Sequence, residues 1–141
     1  MAYYGIVGEQ AAAPANIGKL YQINKTNGAT SLLYNLNAGV LPNAYQQIAF
    51  NPIDGLIYHI YGNSPDMSME TWDPDFPLNA PVFVADIGLL SQWTGIGYYG
   101  DSDLIGLIIG DGMDTLTTSG TATNIGAYIG ATTYGVAVVR T

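Results

Sequence analysis

The single histidine, His59, and the absence of cysteine limit the nucleophilic chemistry open to this 141-residue chain. Any Ser/His/Asp or Cys/His arrangement would have to use that one imidazole. His59 lies in the middle of the run Leu56–Tyr61 with no distinctive neighbours in sequence, so a structural or surface histidine is expected. Three acidic pairs, Asp73/Asp75, Asp101/Asp103 and Asp111/Asp114, offer hard oxygen ligands that would suit calcium. No twelve-residue EF-hand loop surrounds any of them. Aspartate is favoured in turns because its carboxylate accepts from nearby backbone N–H groups. Turn-forming acids and no cofactor are therefore expected, with calcium as the alternative. Two carboxylates can also hydrolyse a glycosidic bond, so the pairs keep a glycosidase reading open.

Gly5, Gly8, Gly95, Gly97, Gly100, Gly106, Gly110 and Gly112 include G-x-G steps. None has the G-x-G-x-x-G spacing between a strand and a helix that cradles a dinucleotide, so turn and packing glycines are expected. Eleven tyrosines and two tryptophans, from Tyr3 to Tyr134, exceed what strand packing requires. Such residues supply rigid contact area at low entropic cost to sugar- or protein-binding surfaces, and they also suit half-buried strands.

Only 10% of residues are charged, against roughly 25% in an ordinary soluble domain. Net charge is −8, with Lys19, Lys25 and Arg140 the only lysines and arginines. Three cations cannot build the basic stripe that neutralises a phosphate backbone, so nucleic acid is not an expected partner. An anionic membrane surface is disfavoured for the same reason. Apolar residues make up 48% of the chain, which excludes the composition of a disordered segment. The length suits one domain with a core of its own. No 18-residue apolar run is present, so no membrane-spanning helix is expected. The opening residues Met1–Gly8 have neither a basic start nor a long apolar stretch, so a strand is expected there in place of a signal peptide.

Short β-type runs alternate with Gly, Pro, Asn and Asp, and long helical periodicity is missing. Twelve strands are predicted: Ala2–Gly8, Lys19–Asn24, Thr30–Leu36, Tyr45–Phe50, Leu56–Tyr61, Met69–Trp72, Val82–Asp86, Trp93–Tyr98, Leu104–Ile109, Met113–Thr117, Thr121–Ile129 and Thr133–Val139. Asn27-Gly28 and Asp54-Gly55 mark turns that need a positive φ.

The runs repeat. Tyr45–Phe50 followed by Asp54–Gly62 matches Trp93–Tyr98 followed by Asp103–Gly110, both pieces at an offset of 48 residues. A third copy of the first piece is Thr133–Val138, and the matching second piece is Ala2–Gly8 at the other end of the chain. Three units of about 47 residues, near 9–62, 63–110 and 111–141 plus 1–8, make a single domain.

The residues Ile48-Ala-Phe50, Asp54-Gly-Leu-Ile-Tyr58, Leu20-Tyr-Gln-Ile-Asn24 and Asn27-Gly28 resemble the blade repeats of β-propellers. The resemblance is clearest over residues 18–62 and weakens in the last third. It implies an all-β fold of three four-stranded antiparallel blades, the last assembled from both ends of the chain. Propellers of very different activity share the pattern, so it implies no reaction. Propeller sialidases rely on several arginines, and this chain has one. Three blades are below the usual 4–8, so a homodimer completing a six-bladed ring through its terminal strands is expected. The alternative fold is a threefold β-prism or trefoil-like lectin.

These readings favour a non-enzymatic, self-assembling structural or adhesion protein, such as a phage capsid decoration, tail or fibre component of a virion. A carbohydrate-binding lectin is the alternative, and a glycosidase-like enzyme the next. The expected location is the virion or the extracellular space without a classical signal peptide, with the cytoplasm as the alternative. The partners expected are a second copy of the chain, other particle proteins and surface glycans. Deleting Met1–Gly8 is predicted to abolish folding or assembly; circular dichroism and light scattering check this, and a folded, unchanged product would refute the joining of the two ends.

Overall fold

A computed structural model describes residues 2–8, 14–37, 45–63, 66–88, 93–100, 103–108 and 112–126. Among them the chain is all-β apart from one 3-10 turn at Pro14–Asn16. The strands are β1 (Tyr3–Ile6), β2 (Lys19–Ile23), β3 (Thr30–Asn35), β4 (Tyr45–Phe50), β5 (Ile57–Asn63), β6 (Asp66–Trp72), β7 (Val82–Asp86), β8 (Trp93–Gly100), β9 (Asp103–Ile108), β10 (Gly112–Leu116) and β11 (Ala122–Gly126). They form three antiparallel meanders: a three-stranded first sheet β1-β2-β3, a four-stranded second sheet β4-β5-β6-β7 and a four-stranded third sheet β8-β9-β10-β11. The twelfth predicted strand, Thr133–Val139, lies outside the described residues. β6 starts at Asp66, three residues before the expected Met69, because its ladder with β5 continues until Asn63 faces Asp66.

Two turns share one hydrogen-bond pattern, and their sequences show why. In Asn24-Lys-Thr-Asn-Gly28 and Asn51-Pro-Ile-Asp-Gly55, the glycine N–H donates to the carbonyl of the first Asn, at 2.8 and 3.0 Å. The first Asn side chain accepts from the backbone two residues on, Thr26 or Ile53. The fourth residue, Asn27 or Asp54, accepts from the N–H after the glycine, Ala29 or Leu56. Each turn thus satisfies its own polar groups with Asx bonds and places Gly28 and Gly55 at φ of 73° and 77°, where a Cβ is disfavoured.

The second sheet is buried on both faces. Toward the third sheet it presents Ala49, Tyr58, Ile60, Met67 and Met69, which pack with Ile96, Leu104 and Leu116. Toward the first sheet it presents Ile57 and Trp72, which pack with Leu20 and Leu36 and are flanked by Tyr4, Ile6, Tyr34 and Ile48. Each fully buried side chain of this kind contributes about 1.5–3 kcal/mol. This double burial explains the nearly unbroken apolar run Ile-Tyr-His-Ile-Tyr of β5, since a strand with one wet face would alternate with polar residues. A threefold prism would bring the three sheets to one shared core; among the described residues two separate clusters are found. No sheet among these residues closes into a ring.

The β10–β11 turn locks the third sheet onto the second. Gly120 sits there at φ 90°, and a Cβ built on it falls 2.5 Å from the Ala85 Cβ. Gly120→Ala therefore meets both a disfavoured backbone region and a collision with a neighbouring strand. The expected cost is about 2–4 kcal/mol, or a fall of roughly 5–15 °C in the thermal midpoint. Calorimetry checks this, and an unchanged midpoint would contradict the packing of this turn on β7.

Candidate functional site

The half of the second sheet that faces the first sheet beyond the Ile57–Trp72 cluster is polar. Strand alternation puts Gln46 of β4, His59 and Tyr61 of β5, and Ser68 and Glu70 of β6 on this face, with His59 directly opposite Glu70 in the ladder. His59 is 0% exposed. Its Nδ1 lies 2.8 Å from Glu70 Oε1, and its Nε2 lies 2.8 Å from the Gln46 side-chain amide. Glu70 Oε1 also accepts the Asn37 backbone N–H at 2.9 Å, and Asn37 Nδ2 donates to the Tyr61 hydroxyl at 3.2 Å. The Tyr61 ring stacks on the imidazole with centroids 5.2 Å apart. Ser68 reaches the Tyr61 hydroxyl and donates to Asp86 Oδ1 at 2.8 Å. The network ties the segment after β3, through Asn37, to the middle of the second sheet.

Burial pushes the His59 pKa below its ordinary 6.5, and the hydrogen bond and charge of Glu70 only partly oppose that shift. A neutral imidazole donates from one nitrogen. With Nδ1–H given to Glu70, Nε2 is an acceptor, so the Gln46 amide is satisfied when its NH2 edge faces the ring. The same burial, with the negative charge of Glu70, raises the Tyr61 pKa.

A second polar cluster sits at the β4–β5 turn. Tyr58 donates to Asp54 Oδ2 at 2.7 Å, and Asn51 Nδ2 donates to the same oxygen at 3.1 Å. Asn51 is fully buried and Tyr58 nearly so. Burial first and Asp54 second push the Tyr58 phenol far above its ordinary value. Thr118, from the β10–β11 turn of the third sheet, also reaches this hydroxyl.

Asp73 and Asp75 serve a turn, and Asp114 serves a strand ladder. The Asp75 N–H donates to Asp73 Oδ1 at 2.9 Å within the β6–β7 loop. Asp114 is buried on β10 and accepts from Asn124 Nδ2 at 2.8 Å across the ladder to β11. Asp101 and Asp111 lie outside the described residues. Among the described residues no group of three or more His, Cys, Asp or Glu side chains could hold a metal ion.

The tyrosines and tryptophans, which suited either half-buried strands or a contact surface, are mostly inside among the described residues. Tyr58, Tyr61 and Trp72 are buried, and Tyr4, Tyr21, Tyr34, Tyr45 and Tyr98 are half-buried. Trp72 packs against Tyr34 at 6.3 Å, and its indole N–H finds no hydrogen-bond partner. Among the described residues the exposed aromatic side chains are Tyr3 and three phenylalanines, Phe50, Phe76 and Phe83. Phe76 and Phe83 join Leu78 and Val82 in an apolar strip along the β6–β7 loop and the β7 edge. The sequence reading passed over this strip and over the partners of His59. The signal for Glu70 is the β5–β6 register, which pairs residue 59 with residue 70 once Asn63 faces Asp66.

The arrangement orients and buries the imidazole. No family model matches the chain, and no curated protein matches it.

The histidine generates a pH dependence with a definite sign. Because the folded pKa lies below the unfolded 6.5, the unfolded chain binds the proton more readily. The stability held by the neutral ring is present above about pH 6.5 and is lost as the pH falls below it toward the folded value. At pH 7.5, His59→Gln is expected to cost about 1–3 kcal/mol through lost hydrogen bonds. The gap between wild type and variant should narrow as the pH falls toward 5. Parallel thermal melts check this, and a gap that widened on acidification would contradict a buried neutral imidazole.

Proposed function

We propose that this chain is a non-enzymatic structural protein that acts by assembling with further copies of itself, in a particle such as a virion. The observation that carries the reading is the contrast between the second sheet and the sheets that flank it. The second sheet has a neighbouring sheet on each face, and its β-runs are apolar on both. The first sheet has a neighbour on one face among the described residues, yet it is apolar on the other too. Tyr3 and Leu32 stand 51% and 49% exposed there. Large contiguous apolar surfaces on a soluble protein mark interaction sites.

In this reading the three sheets are propeller blades. β4 and β8, the leading strands of the second and third sheets, adjoin, as innermost strands around a shared axis would. The repeat offset of 48 residues equals the separation between the starts of β4 and β8. Two copies supply six blades, a number within the ordinary range for closed rings. The reading is also supported by composition. Few charges and no cysteine suit a tightly packed assembly that needs neither disulfides nor a steering field. The sole histidine, the residue on which a triad would depend, is buried and committed to Glu70 and Gln46.

Native mass spectrometry and light scattering test the reading. A closed species of at least twice the 14.9 kDa chain mass is expected at micromolar concentration. A stable monomer across the whole concentration range would overturn the reading.

A further inference from the structure

We infer that the open edge of β7, with the loop that leads into it, takes up an extended segment of another protein, one that carries apolar side chains between lysine or arginine residues. The inference goes beyond self-association. It uses the rim of the second sheet, whose two faces are already covered.

The three meanders share one plan, so each shows where another departs from it. The last strand of the first sheet begins Thr30-Ser31, and that of the third begins Ala122-Thr123. The turns before them, Asn24–Ala29 and Thr117–Thr121, are short, polar and closed by their own hydrogen bonds. These are ordinary turns for water-facing loops. In the second sheet the last strand begins Val82-Phe83, and the loop before it is Asp73-Pro-Asp-Phe-Pro-Leu-Asn-Ala-Pro81. Leu78 is 95% exposed, Val82 64%, Phe76 62% and Phe83 57%. Large apolar groups gathered in water mark an interaction site.

The edge and the loop are both ready for a partner. β7 ends its sheet, and among the described residues no backbone hydrogen bond joins Val82–Asp86 to any strand but β6. Such a strand offers a row of N–H and C=O groups with which an added strand can pair. Val82 lies opposite Thr71 and Phe83 opposite Glu70, so the two side chains point to opposite faces of the sheet. An added strand therefore meets an apolar side chain on each face. In the loop, Pro74, Pro77 and Pro81 fix φ. The Asp75 N–H donates to Asp73 Oδ1 at 2.9 Å, the Phe76 N–H to the Asp73 carbonyl at 3.2 Å, and the Asn79 N–H to the Phe76 carbonyl at 2.9 Å. Phe76 and Leu78 thus stand in water on a backbone with little freedom left to lose on binding.

Charge selects the occupant. Asp75 and Asp86 are exposed beside the strip and Asp73 is half-buried, while residues 45–88 contain no lysine or arginine. Two copies joined edge to edge would bring these acids together, which disfavours that pairing. A segment with a cation at each end is the attractive partner. One run of this chain has that composition, Lys19-Leu-Tyr-Gln-Ile-Asn-Lys25. It cannot serve, because β2 is already paired with β1 on one side and β3 on the other. The strand must come from a different protein.

That run supplies the probe. Binding of the synthetic peptide Lys-Leu-Tyr-Gln-Ile-Asn-Lys to the full chain is followed by the amide NMR signals of the protein. The signals of Val82–Asp86 should move, with a dissociation constant below about 1 mM at low salt. The same peptide with glutamate in place of both lysines should bind at least about tenfold more weakly. Phe83→Ser should weaken binding of the lysine peptide at least about tenfold. The position is more than half exposed, so the fold should be kept, and circular dichroism verifies it. Should Phe83→Ser unfold, Leu78→Ser is measured in its place with the same outcome expected. N-methylation of every second peptide amide, made in both phases, should abolish binding in one phase only, since a paired strand turns alternate amides toward its neighbour.

No movement at Val82–Asp86 with the lysine peptide, or movement only elsewhere, would overturn the inference. Equal binding of the lysine and glutamate peptides would refute the choice of a cationic partner. Equal binding of both methylated forms would refute strand addition. If Phe83→Ser abolishes association of the chain with itself, a second copy occupies the edge and the inference is wrong, while self-assembly stands.

Discussion

The structure depends on covering both faces of the second sheet. A β-sheet with apolar residues on two sides cannot face water on either, so it needs two partners. The third sheet supplies one, through Leu104, Leu116 and Ile96 against Ile60, Met67 and Met69. The first sheet supplies the other, through Leu20 and Leu36 against Ile57 and Trp72. The polar network is a consequence of this arrangement. The cover on the first face is apolar only along part of its length, and where it ceases the buried groups must satisfy one another. Glu70 does most of that work, accepting from the His59 ring on its own sheet and from the Asn37 backbone of the neighbouring segment.

The two polar clusters have parallel roles at opposite faces. His59, Glu70 and Tyr61 join the second sheet to the segment that follows β3, while Tyr58, Asp54 and Asn51 join it to the Thr118 turn of the third sheet. Apolar packing alone is tolerant of small slides, whereas hydrogen bonds of fixed direction are not. Each interface thus combines an apolar cluster that supplies burial with a polar cluster that sets register. Gly120 adds a steric constraint at the second interface, since only a residue without a side chain lets that turn lie against Ala85.

Much of the fold was legible in the sequence because strand pairing here is local. Every ladder joins strands consecutive in the chain, so alternation and turn residues were enough to locate Lys19–Ile23, Tyr45–Phe50 and Val82–Asp86. The internal repeat was legible for the same reason, as each unit folds on itself before meeting its neighbour. The bonding of His59 was not legible, because Gln46 reaches it from another strand and Asn37 reaches its partner Glu70 from the segment after β3. The place of the aromatic residues was open for a related reason. Tyrosine suits both a buried strand and a binding surface, and only the stacking of sheets assigned Tyr58 and Tyr61 to the interior, leaving Phe76 and Phe83 outside.

By itself, then, the sequence determined an all-β chain, the place of each described strand to within about three residues, and the Asn-x-x-Asn/Asp-Gly turns that join some of them. These are properties of neighbours along the chain, governed by backbone sterics and by side chains bonding their own backbone. Tertiary structure alone decided which faces are buried, which acids serve turns, and that the single histidine is fully buried. Those outcomes depend on contacts between segments far apart in the chain, where local residue type carries no information about what arrives on the opposite side.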